Sequence, residues 1–226
     1  MQRFDLFGLT HKGLRAALYH TALQLQQTNF LIAEETEAAL NRVREIILLF
    51  SEQSKRQDTH ILPALQPFEP SVLCTLEDEH ASIRQLGNEL LAGVESVEKA
   101  ADENEKLLAG RVLNERFTSF TAAQLRHMAN EEAIGNVILW RYYSDDELQA
   151  INEQAEASTA PWIRDFFQGW MLRGINDLEA ANWVTTIQRQ QSEIAYRTLL
   201  QKCAHEFSPV RFRSIQAIRE RNHQPA

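Results

Sequence analysis

Between residues 113 and 138 the apolar residues recur at helical spacing, and a histidine and a carboxylate are set into their stripe. The stripe reads Leu113, Phe117, Phe120, His127, Glu131, Ile134 and Ile138. An α-helix turns about 100° per residue, so His127 and Glu131, four apart, lie one above the other and can reach a single point. The side they share is the side that should be buried. A buried carboxylate without a partner is costly, so a metal ion or a hydrogen-bonded pair must satisfy it.

Only 8 Gly and 6 Pro occur in 226 residues, and almost no stretch alternates β-branched residues at period two, which predicts an all-α fold. A chain of this length can bury roughly 70–75% of its unfolded surface. The formal net charge of −8 makes the chain a poor binder of nucleic acid or anionic lipid. No run approaches 18 apolar residues and residues 1–10 have no leader pattern, so a cytoplasmic protein is expected. Cys74 and Cys203 are too far apart for a thiolate zinc motif and read as free buried thiols.

Four long helices are predicted before residue 143. An irregular arm over residues 2–9 carries Phe4, Leu6, Phe7 and Leu9 inward, and Thr10 is placed to cap a helix over 11–28 with His11, Leu14, Leu18, Ala22 and Leu25 on its inner face. A second helix, 33–65, presents Leu40, Val43, Ile47, Phe50, Ser54, Asp58, Ile61 and Leu65; Pro63, Pro67 and Pro70 mark its end. The third starts at Pro70 or Ser71 and presents Leu73, Leu76, His80, Ile83, Leu90, Val94 and Val97; the fourth runs over 105–142. Short connections between long helices predict an antiparallel up-down-up-down four-helix bundle over 1–143. Residues 144–226 read as a C-terminal extension of four or five short helices. It opens on the capping box Ser144 to Glu147, with further starts at Pro161, Asn176 and Ser208-Pro209.

In that topology Asp58, His80 and Glu131 fall roughly 10–16 Å from the same end of the bundle, with His11 nearer the rim. His11, His80 and His127 thus come from the inner faces of three helices. His20 is about 180° round from His11 and should face solvent, and His205 and His223 have no partner at ligand spacing. His60 faces inward only if Pro63 distorts the last turn of its helix. Imidazole and carboxylate donors without thiolate suit iron, manganese or zinc, and paired carboxylates spanning helices commonly bridge two iron ions. The candidate metal ligands are therefore His11, Asp58, His60, His80, His127 and Glu131, with Asp58 and Glu131 able to bridge; Glu77, three residues before His80, is either a further ligand or a rim charge. A buried polar network without metal is the competing reading.

The ordered series His11-Lys-Gly-Leu-Arg, Asp58-Thr-His60-Ile-Leu-Pro63, Glu79-His80 and His127-Met-Ala-Asn-Glu131-Glu resembles the hemerythrin-like (HHE cation-binding) family. The resemblance covers about residues 3–142, and the string from His127 through Trp140 to Leu148 is similar to bacterial members with a helical extension. It implies a bundle holding a non-haem di-iron centre that binds oxygen, or senses oxygen, iron, nitric oxide or redox state. The family's second motif, a histidine followed four residues later by an acid, is not met: the matching positions read Gln53 or Ser54 with Gln57 or Asp58. Either His60 substitutes, or water completes a labile second site, or one metal binds, or none does.

The function expected is iron, oxygen or nitric oxide sensing, storage or buffering, with a metal ion or a small diatomic molecule as partner. The alternative is a metal-free helical interaction or oligomerisation module. Trp162, Trp170 and Trp183 in the extension suit an interface between copies. No further His, Tyr or acid is placed as a substrate base, and Gln124 is only a neighbour of the ligands, so di-iron oxidase activity has no sequence support.

Overall fold

The structure, a computed structural model, describes residues 3–223, with side chains through Arg221. Gln2 of the predicted arm and the side chain of His223 lie outside the described residues. The described chain is all-helical. Helices α1 (Gly8–Gln27), α2 (Ala33–Arg56), α3 (Pro70–Lys99) and α4 (Glu103–Asn130) are followed by α5 (Asn136–Tyr142), α6 (Asp145–Ser158), α7 (Pro161–Gly174), α8 (Asp177–Gln190), α9 (Glu193–Glu206) and α10 (Pro209–His223). Each of the first four helices packs on the next, and α4 returns to α1.

Two long helical patterns are interrupted where the sequence predicts continuity. The second helix widens into a π turn at Gln57–Ile61 and tightens into a 3-10 turn at Leu62–Ala64; the fourth widens into a π turn at Glu131–Gly135 before α5. A π turn holds more than 3.6 residues, so it shifts the phase of every residue beyond it. Ile134, predicted inward, is therefore 46% exposed, while Gly135 and Asn136 are buried. On the other π turn Gln57 and Ile61 are buried and Asp58 is turned outward.

Thr10 is not the cap predicted for α1. It lies within the helix, buried, and the helix begins at Gly8 because Asp5 Oδ1 accepts from the Phe7 and Gly8 N–H groups at 2.9 Å. The arm is tied down by Arg3, which donates to Asp145 Oδ1 and to the carbonyls of Trp140 and Tyr143, and by Trp140 Nε1 donating to the Phe4 carbonyl. The capping box Ser144 to Glu147 forms as predicted, and Asn176 and Glu179 make a second one at the head of α8. Among the described residues, no helix is long and apolar enough to cross a membrane.

Two apolar cores stack along the first four helices. The first contains Leu14, Phe50, Ile83, Phe117 and Met128 and admits Ile163, Phe167 and Trp170 of α7; the second contains Phe7, Ile61, Leu76 and Ile138. The extension thus builds part of the first core as well as its own cluster around Leu172, Val184, Leu199 and Phe207. On each of the four helical rods a buried polar residue stands between the two cores: His11 between Phe7 and Leu14, Gln57 between Phe50 and Ile61, His80 between Leu76 and Ile83, Glu131 between Met128 and Ile138. That polar layer is the candidate site.

Candidate metal centre

Glu131 stands at the first position of its π turn and is fully buried. His127 lies one turn before it on α4, with Nε2 3.4 Å from Glu131 Oε2. His80 enters from α3, its ring centroid 4.4 Å from that of His127. One ligand atom from each of His80, His127 and Glu131 lies within 4.8 Å of the others, close enough for one metal ion to be held between them. His11 of α1 approaches the same oxygen, its Nε2 3.1 Å from Glu131 Oε2.

The histidines are oriented by an outer ring of carboxylates. His11 Nδ1 lies 2.9 Å from Glu132 Oε1, His80 Nδ1 2.6 Å from Asp58 Oδ1, and His127 Nδ1 2.7 Å from Glu79 Oε2. An ionised carboxylate only accepts, so each Nδ1 carries the proton and donates. Nε2 is then the atom left to bind, and in all three histidines Nε2 is buried without a hydrogen-bond partner. Both oxygens of Glu131 are likewise buried and unpartnered; the nearby imidazoles face them without hydrogen-bond alignment. The carboxylates are in turn held: Arg15 donates to Glu132, Asn130 to Glu79, and Arg84 to Asp58 at 3.4 Å. Metal-binding histidines commonly have their second nitrogen fixed in this way.

The electrostatics follow from the packing. Burial alone would raise the Glu131 carboxyl, but the surrounding His11, His127 and His80 outweigh it and hold the group ionised. Burial would lower His11, yet Glu131 and Glu132 flank both of its nitrogens and raise it. Glu132, against burial, is held down to about 2 by His11 and Arg15. These directions describe the metal-free layer, in which His11 and Glu131 compensate each other.

Of the residues predicted as ligands, the structure brings His80, His127 and Glu131 together and sets His11 against Glu131. Asp58 is not placed as a bridge; it is 37% exposed and reaches His80 Nδ1 from outside, because it lies about 100° round from the buried Gln57, at the edge of the inner face. His60 is partly buried on the same turn and supplies no atom to the group. The inner positions of that helix belong instead to Gln53 and Gln57, 4% and 2% exposed, which with His11, Gln124, His127 and Glu131 line a small cavity. Glu79 and Glu132, which orient two of the rings, are not among the residues expected from the sequence. Each directly precedes or follows an inner residue, and their neighbours across the helix interface could not be read from spacing.

No family model matches the chain. It is similar to F-box/LRR-repeat protein 5 of Xenopus tropicalis, at 27% identity over 168 residues that cover 72% of this chain and 24% of that protein. It is also similar to F-box/LRR-repeat protein 5 of Salmo salar, at 24% identity over 172 residues covering 76% and 24%. The chain spans about a quarter of the length of these curated relatives.

Proposed function

We propose that the chain is a non-haem iron-binding protein of the hemerythrin-like kind. In this reading the first four helices form an antiparallel bundle, and the protein senses, stores or buffers iron, oxygen or nitric oxide. The observation that carries the proposal is the arrangement of donor atoms. Three histidines each commit Nδ1 to a carboxylate and leave a buried, unpartnered Nε2 on the side of a buried, unpartnered carboxylate. Buried polar groups are ordinarily satisfied, so five such atoms in one layer call for a cation. Imidazole and carboxylate without thiolate fit iron. A bound iron ion would supply the centre that exchanges electrons or takes a diatomic ligand. The chain's own residues hold and orient the donors, and the apolar cores above and below shield them from water.

The test is metal analysis of protein purified from iron-supplemented cells, together with near-ultraviolet absorption. Bound iron that is lost in His127→Ala is expected. Substoichiometric metal that the substitution leaves unchanged overturns the proposal. A metal-free helical module is the second reading, favoured by the uncharged Gln53 and Gln57 on the inner face. Under that reading a chelator leaves the melting temperature unmoved. An ion present at 100 times its Kd and bound only by the folded chain adds about 2.7 kcal/mol, on the order of 5–10 °C here.

A further inference from the structure

The polar layer has two unequal halves. On one side of Glu131 stand His80 and His127, whose Nε2 atoms complete the group of three donors. Adjoining them is a cavity lined by His11, Gln53, Gln57, Gln124, His127 and Glu131. His80 does not line it, whereas His127 and Glu131 belong both to the cavity wall and to the group of three donors. It offers about 10 Å³ for the centre of a water-sized molecule, which is room for about one water. Its walls include three buried amides, and Gln53, Gln57 and Gln124 each leave one side-chain polar atom without a partner.

Resting on the iron reading above, we infer that the site takes a single divalent ion at His80, His127 and Glu131. The Gln53–Gln57 side of Glu131 holds an uncharged hydrogen-bonding molecule of one or two heavy atoms, such as water or a diatomic gas, and no second ion. Charge balance carries the inference. A second divalent ion on that side would find one carboxylate among the residues lining the cavity, Glu131, and would have to share it with the first, leaving two positive ions against a single anionic donor. No second carboxylate lines the cavity: Gln57 is buried there, and Asp58, exposed, turns instead to His80 Nδ1. His11 adds one imidazole there, and the amides add donors and acceptors without charge. Unpartnered buried amide atoms are costly and are satisfied by a small polar guest as well as by a protein group.

Equilibrium dialysis of the full chain against anaerobic Fe(II), followed by metal and protein analysis, tests this. The wild-type chain is expected to bind about one ion. The double variant Gln53→His/Gln57→Glu, which places an imidazole and a carboxylate at i and i+4 on the cavity wall, is expected to bind about two. Two ions on the wild type overturn the inference and leave the iron proposal standing, as does a folded double variant that still takes one. No bound ion on either protein overturns the iron proposal itself. Folding of the variant is checked by circular dichroism, and the wild-type stoichiometry decides the matter if the variant does not fold.

Discussion

The imidazoles of His80 and His127 lie 4.4 Å apart, centroid to centroid, and each gives its Nδ1 to a different carboxylate, Asp58 for the first and Glu79 for the second. Two rings from different helices are thereby fixed in one pose, with both Nε2 atoms left over and buried. The outer carboxylates hold the rings; they are not donors to the same point.

This separation of roles has a measurable consequence. Asp58→Ala and Glu79→Ala should each weaken metal binding by about 10–100-fold, the usual effect of losing a partner behind a ligand. Glu131→Ala should abolish it. Competition titration against a chromophoric chelator distinguishes the two; an Asp58→Ala variant that binds no metal would make Asp58 a direct ligand.

The metal-free protein should lose stability in acid through Glu132. Its folded value, about 2, lies below the ordinary 4.5, so its contribution is complete above about pH 4.5 and vanishes as the pH falls toward 2. His11 is raised, so its contribution is present below its ordinary 6.5 and is lost as the pH climbs through the raised value. Urea midpoints followed across pH should differ most between wild type and Glu132→Gln above pH 4.5 and converge near pH 2. Equal spacing of the two curves throughout would assign the Glu132 contacts no net value.

The two thiols should react on different schedules. Cys74 is exposed, whereas burial pushes the Cys203 thiol up to about 11 against the pull of Arg219 and Arg211. Since the thiolate is the reactive form, an aromatic disulfide reagent near pH 8 should titrate one thiol quickly and the second only in denaturant. Two fast equivalents from folded protein would contradict the packing around Leu199 and Phe207. The sequence reading placed both thiols inside; Cys74 falls on the outer face of α3, two residues before the buried Leu76.

The extension should matter to the site. Helix α7 crosses α1 so closely that a Cβ on Gly174 would overlap the Lys12 carbonyl, and one on Gly13 would stand 2.7 Å from the Met171 backbone nitrogen. Backbone cannot yield as a side-chain tip can, so Gly174→Ala should cost about 1–3 kcal/mol by urea denaturation. Because Lys12 adjoins His11, the same substitution should weaken metal binding. Wild-type values for both would mean that α7 and α1 separate freely.

The sequence by itself determined the all-helical class, and also which residues could be donors. Scarce Gly and Pro and a 3.6-residue apolar rhythm leave no other economical burial, and every inner residue predicted on α3, from Leu73 to Val97, is buried. His127 and Glu131 were legible together because four residues on one helix fix a separation locally. The caps at Ser144 and Asn176 and the helix start at Pro161 were legible for the same reason, since each involves neighbours within four residues. What only the tertiary structure decided lies on the two π turns and across helix interfaces. Gln57 continues the buried line of Phe50, Gln53 and Ser54, and Asp58, about 100° further round, falls at its edge; which of two neighbouring positions faces the layer depends on how α2 packs, which spacing alone does not reveal. Nor can spacing show that Glu79 reaches His127 on another helix, that Glu132 reaches His11, or that α7 enters the first core. Those relations depend on how the rods pack. That packing gives the layer one half with three gathered donors and another lined by amides.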